Sequence, residues 1–223
     1  MISETIKNRI VSAGGSFRAN DNISDFIHPG ELTALQDEVE NRIRDLLQSL
    51  IIDTDNDHNT RETARRVAKM YLREVFKGRY EPRPLITEFP NFKNMDELYT
   101  LGPIKFKSAC SHHFVEIEGQ VWVGVQPSDR VVGISKIARL VHWIARRPQI
   151  QEECTVLLAD ELESLLKPKG LGVVIKAAHH CMTWRGVEEE QSQMITSVVR
   201  GEMLQDDSLK AEFFQLIRAQ GFK

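Results

Sequence analysis

The chain has 223 residues, 41% of them hydrophobic and 27% charged, enough to bury a core of ordinary size without disulfides. Lys and Arg total 29 against 32 for Asp and Glu, a formal charge of -3, which excludes the basic excess of a general nucleic-acid binder but leaves room for a local cationic pocket. No apolar run approaches the roughly 18 to 20 residues of a membrane span, and the first twelve residues lack the apolar stretch of a signal peptide, so a cytoplasmic location is expected.

Residues 1–30 carry Gly14, Gly15 and Ser16 among mixed polar residues and read as a flexible N-terminal arm or short helix. From Glu31, the positions Leu32, Leu35, Val39, Ile43, Leu46, Leu47 and Leu50 recur at spacings of three and four and predict an amphipathic helix ending near Ile52. Asp53, Asp55 and Asp57 resemble the opening of a calcium loop, but His58 and Ala64 stand where that loop needs Gly and Glu, so a plain loop is expected. Asn59 and Glu62 suggest a capping box for a second helix running to Gly78, and the proline-bearing stretch from Tyr80 to Asn94 reads as connecting loop.

After Pro103 the texture changes to that of strands. Ile104–Cys110 and Phe114–Val125 are rich in Val, Ile, Phe and Trp, with Val115, Ile117, Val121, Val123 and Val125 on one face. Ser135–Arg147 and Gln151–Leu166 read as helices parted by Pro148. A strand from Val173 to Thr183, another from Gln193 to Val199 and a helix from about Ser208 complete the chain. Without βαβ alternation this is an α+β pattern, an antiparallel sheet with helices on one face. The segments are expected to be an arm (1–30), a helical extension (31–100) and a sheet-bearing domain (101–223).

Cys110-Ser-His-His113 ends one predicted strand and His179-His-Cys181 lies in another, so two of three cysteines stand beside four of seven histidines. On a strand His179 and Cys181 share a face while His180 points away. A bend through Ser111 and His112 would let Cys110 and His113 close on one ion. With Cys181 they make three thiolate and imidazole ligands of the kind zinc accepts, leaving a fourth position open as in catalytic sites. His112 and His179 remain for proton transfer. Cys154 continues the stripe of Leu158, Leu162 and Leu165 and reads as core. Lys136, Arg139 and Arg146 cluster on one face of their helix, either as a phosphate cradle at a helix start or as a solvated charged face. Glu152 either favours its helix N-terminus or reads the N–H edge of a guanine.

The motifs Cys110-Ser-His-His-Phe114, Val132-Gly-Ile-Ser-Lys-Ile-Ala-Arg-Leu140, Arg147-Pro-Gln-Ile-Gln-Glu152 and His179-His-Cys-Met-Thr-Trp-Arg-Gly186 resemble the zinc-dependent GTP cyclohydrolase I family over roughly residues 31 to 220. The resemblance implies the tunnelling fold, with a four-stranded antiparallel sheet and two helices between strands 2 and 3 packed on one face, assembled as a toroidal homodecamer. It implies conversion of GTP and water to 7,8-dihydroneopterin triphosphate and formate, the entry to folate or biopterin synthesis, with no nucleic-acid or membrane partner. By matching position, Cys110, His113 and Cys181 would hold Zn2+ and its activated water would attack carbon 8 of guanine. His179 would exchange the proton near nitrogen 7, and His112 would serve the later ribose steps. Ser135, Lys136, Arg139 and Arg185 would bind ribose and triphosphate, with Arg66 and Lys69 from a neighbouring subunit, and Glu152 with Gln151 would bind guanine. Ser111 departs from the family's usual Glu, and Ser192–Ser197 is poorer in hydroxyls than its usual strand. These departures motivate the alternative of a catalytically silent zinc- and nucleotide-binding oligomer.

Overall fold

The computed structural model describes residues 1–223, which form two compact units, Met1–Pro82 and Arg83–Lys223. The first unit is helical: α1 (Ile2–Ser12), a 3-10 turn (Ser24–Phe26), α2 (Glu31–Ser49), α3 (Thr63–Lys69) continued by a π-helical turn (Met70–Val75), and α4 (Lys77–Tyr80). Its core joins Ile6 and Ile10 of α1 to Ile23, Leu35 and Leu72. The second helix is shorter than its sequence pattern suggests: α3 begins after Glu62 without a side-chain cap, so the capping box at Asn59 does not form. Asp53 instead accepts from the backbone N–H groups of Asp55 and Asn56, closing the loop that mimics a calcium site.

Two polar clamps hold α1 on α2. Glu38 accepts from the backbone N–H (3.0 Å) and hydroxyl (2.5 Å) of Ser3, and Arg9 grips Glu31 with two parallel bonds of 2.8 and 2.9 Å. The Arg9 guanidinium, with the His28 backbone N–H, holds the Glu31 carboxyl down at about 2. A folded value below the ordinary 4.5 means that this contact stabilises fully above that pH and is lost as pH falls toward about 2. Hydrogen-exchange protection of α1 should therefore decline across that interval ahead of that of the helix Gln151–Leu166. Equal loss in both helices would remove the pair from the account of α1 docking.

Of the α2 stripe only Leu35 is buried, while Leu46 and Leu50 are more than half exposed. In the C-terminal half of that face Ile43 and Leu47 are partly covered.

The second unit contains β1 (Glu88–Pro90), β2 (Tyr99–Cys110), β3 (Glu116–Gln126), β4 (Arg130–Val132), α5 (Ile134–Ala145), β5 (Pro148–Gln149), α6 (Gln151–Leu166), β6 (Gly170–His179), α7 (His180–Thr183), β7 (Met194–Gly201), α8 (Glu202–Gln205) and α9 (Asp207–Ala219). β1 pairs antiparallel with β4. In that pairing β1 lies in the stretch Tyr80–Asn94 expected to be loop, and the units part at Pro82, whereas the helical extension was expected to run to residue 100. The main sheet has the order β5-β2-β3-β6-β7. Its four long strands are antiparallel, and the two-residue β5 adds a parallel pairing at the end of β2, making five strands where four were expected.

The alternation of β3 explains both faces. Ile117, Val121, Val123 and Val125 join Ile137, Leu140, Val141 and Ile144 of α5 and Leu158, Leu162 and Leu166 of α6 in the main core. Trp122 projects the other way, with Val174, and is covered by Met203, Phe213 and Ile217. Helices therefore cover both faces, not one. The opposite face receives α9 because Gly124 and Gly172 leave a hollow for the Phe213 ring; a Cβ at those positions would stand 2.4 and 2.8 Å from it. Asp206 caps α9 by accepting from the backbone N–H groups of Ser208 and Leu209.

Candidate metal centre

β2 delivers Cys110 to its C-terminal end, where the chain reverses at once. The Cys110 N–H donates to the Val115 carbonyl (2.9 Å), the Phe114 N–H donates back to the Cys110 carbonyl (2.8 Å), and Phe114 takes φ +54° to close the turn. This turn provides the bend expected through Ser111 and His112. β5 lies beside it, with Cys110 opposite Gln149 and the Ser111 N–H donating to the Gln149 carbonyl at 3.2 Å.

The other half comes from β6, which ends at His179, opposite Ile117. The predicted continuation to Thr183 is replaced by α7, so His179 and Cys181 do not share a strand face. The helical turn carries Cys181 to the β2 turn, and the ligand atoms of Cys110, His113 and Cys181 lie within 4.8 Å of one another. Ligand atoms sharing a tetrahedral zinc are separated by about 3.5–4 Å, within reach of small side-chain adjustments here, and two thiols with one imidazole form a donor set that suits zinc. The three residues fit the ion.

Burial pushes the Cys181 thiol up, the neighbouring Cys110 thiol adds to this, and the Arg185 guanidinium opposes it. Arg185 Nη1 lies 2.9 Å from His113 Nε2. A guanidinium only donates, so this contact occupies the Nε2 lone pair. Ligation through Nε2 takes that lone pair, and ligation through Nδ1 places a proton on Nε2; either displaces Arg185. His112 is exposed, its ring edge-on to His113 with centroids 6.3 Å apart.

His179 is half-buried, and its Nε2 stands 2.9 Å from Gln151 Oε1. Burial lowers its pKa, with the Glu152 carboxylate pulling the other way. Glu152 is exposed in the first turn of α6, whereas Gln151 beside it is wholly buried. Ser135, Lys136 and Arg139 occupy the start of α5, with Ser135 and Arg139 exposed. Arg66 and Lys69 are exposed on α3 of the first unit. Cys154 is fully buried and its thiol is pushed up to about 12, as a core residue. Iodoacetamide near pH 8 should therefore alkylate Cys181 in chelated protein, leave Cys154 untouched, and spare Cys181 after zinc is restored. Equal labelling of Cys181 with and without zinc would remove it from the ligand set.

Thr155 escaped the sequence reading, and Thr196 entered it only as part of the Ser192–Ser197 strand. Thr155 donates to the Gln151 carbonyl at 2.7 Å and meets the Thr196 hydroxyl at 2.6 Å. The i,i+4 spacing of Gln151 and Thr155 on one helix was the available signal; nothing local marks Thr196, which arrives from β7. A groove of about 490 Å³ is lined by Lys105, Glu118, Gln120 and Lys176 and does not include the metal cluster.

The family model for GTP cyclohydrolase I matches residues 39–218. A GTP cyclohydrolase 1 of Actinobacillus pleuropneumoniae serotype 5b is 37% identical over 181 residues, covering 81% of this chain and 83% of its own. A GTP cyclohydrolase 1 of Coxiella burnetii (strain Dugway 5J108-111) is 38% identical over 184 residues, covering 81% of this chain and 100% of its own. Among solved structures, the apo form of an archaeosine synthase QueF-Like aligns at a TM-score of 0.39 and 16% identity, covering 48% of this chain and 94% of that one, a likeness too slight to bear on the fold. With the family model spanning both halves of the metal cluster, the chain belongs to the GTP cyclohydrolase I family.

Proposed function

We propose that the chain hydrolyses and rearranges GTP to 7,8-dihydroneopterin triphosphate with release of formate. The observation that carries this reading is the convergence of Cys110, His113 and Cys181 from two distant segments, in a chain of this family.

Cys110, His113 and Cys181 would hold zinc, which would supply a water of lowered pKa as the nucleophile for carbon 8 of the guanine ring. Glu152 accepts from the N–H edge of guanine, consistent with its exposed carboxylate at the start of α6. His179 exchanges a proton at nitrogen 7, supported by the burial that favours its neutral form at physiological pH. His112 serves proton transfer in the later ribose steps. Ser135, Lys136, Arg139 and Arg185 take ribose and triphosphate, the last freed from His113 when that ring ligates. Arg66 and Lys69 reach the phosphates from a neighbouring subunit of a toroidal homodecamer. Exposed Ile195 on the edge strand β7 is consistent with further burial on assembly.

Purified protein is incubated with GTP, and pterin absorbance and formate are followed before chelation, after it, and after zinc add-back. Product that disappears with the chelator and returns with zinc is the expected result, with His179→Ala lowering turnover by about 100-fold or more. No product from zinc-loaded, assembled protein overturns the reading in favour of a silent nucleotide-binding oligomer. Ser111→Glu is then the first variant to make.

A further inference from the structure

Guanine was expected to meet Glu152 and the backbone near Gln151; the Gln151 side chain is turned inward and wholly buried. Its Nε2 donates toward the Ile175 carbonyl (3.1 Å), the Met194 carbonyl (3.2 Å) and the Thr196 hydroxyl (3.0 Å). Backbone carbonyls only accept, so the amide end facing them is the NH2 group. The end facing His179 is therefore the oxygen, and the surrounding acceptors fix this orientation.

The hydroxyls agree with it proton by proton. Thr155 donates to the Gln151 backbone carbonyl at 2.7 Å, which spends its only hydroxyl proton. In the 2.6 Å contact between the two threonines, Thr196 must then be the donor. Thr196 Oγ1 keeps a lone pair for Gln151 Nε2. The two Nε2 protons are shared among the three acceptors around them, and the network ends at Gln151 Oε1, which can only accept.

We propose that Gln151, locked by Thr155 and Thr196, is a positioning residue that fixes the neutral ring of His179 as the Nε2–H tautomer. Oε1 takes the Nε2–H at 2.9 Å, and Nδ1 is left as the basic nitrogen. The same bond sets the orientation of the ring. A single tautomer matters because nitrogen 7 of guanine bears a lone pair and must receive a proton as water adds at carbon 8: with Nε2–H held by Gln151, Nδ1 is the nitrogen that takes up that proton and delivers it. The side chain of Gln151 thereby acts on the reaction through His179 and leaves guanine recognition to Glu152. This deepens the proposed function and rests on its reading of His179 as the proton-transfer group.

The test uses the full chain labelled with 15N-histidine, at about pH 8 where an imidazole is neutral. Two-bond 1H–15N correlations report which nitrogen of His179 bears the proton, with the His179→Ala spectrum supplying the assignment. The wild type is expected to show protonated Nε2 and unprotonated Nδ1. Gln151→Met is expected to show a mixture of tautomers, a kcat lower by about 10- to 100-fold, and a KM for GTP changed less than about twofold. A wild-type ring protonated at Nδ1 overturns the proposal, and this measurement decides even where Gln151→Met fails to fold. An unchanged ring in Gln151→Met overturns it as well, as does a rise in KM at unchanged kcat, which would restore Gln151 as a substrate contact. Full turnover by His179→Ala would instead sink the reading of His179, whatever tautomer the spectrum shows.

Discussion

Cys181→Ala is expected to lose metal and turnover together while staying folded. Three side chains supply the site, and one neutral imidazole with one thiolate is a weak grip for zinc, so retention after dialysis should fall by at least about 100-fold. The thiol contributes little to the core. Cys181 is only partly buried on the four-residue α7, at the margin of the main cluster, so its loss should change stability by about 1 kcal/mol or less. Metal content per chain by plasma emission, thermal unfolding and GTP turnover on one preparation separate these effects. A variant that keeps one metal per chain and full turnover would remove Cys181 from the site.

Phe213→Ala is expected to cost about 3–5 kcal/mol, a large share of a domain's net stability. The ring is fully buried with Trp122, Val174, Met203 and Ile217, in a hollow shaped by the missing side chains of Gly124 and Gly172. Two flanking glycines cannot close over the vacancy, so the cavity should persist. Gly124→Ala probes the same fit from the other side: its Cβ would stand 2.4 Å from the ring, and overpacking should cost about 1–3 kcal/mol. Urea denaturation gives both values. A loss below about 1 kcal/mol for Phe213→Ala would mean that α9 does not anchor this face.

The period-two run from Val115 to Val125 and the period-3.6 runs of the two central helices were legible because each faces one continuous core, and α6 spans the residues its pattern predicts. Segment ends were less legible. The strand leading to His179 extends to Thr183 in the sequence pattern because nothing in His180-Cys-Met-Thr183 forbids extension; the structure has a helical turn there, which carries Cys181 to the β2 turn. The short β1 and β5 were missed because two or three residues carry no period, and their pairing depends on what lies beside them. The C-terminal helix was found, but not the face it covers, since a stripe says that a partner exists without naming it.

By itself the sequence determined the ligand types, the strand and helix periods of the second unit, and the family motifs, because these are properties of residue identity and local spacing. Only the tertiary structure decided that Cys110 and His113 meet Cys181 within 4.8 Å, that Gln151 turns away from solvent to hold His179, and that Thr196 of a distant strand completes that network. Such contacts join residues dozens of positions apart through sheet register and helix packing, and hydrogen-bond direction can be assigned only once every donor and acceptor has its neighbour.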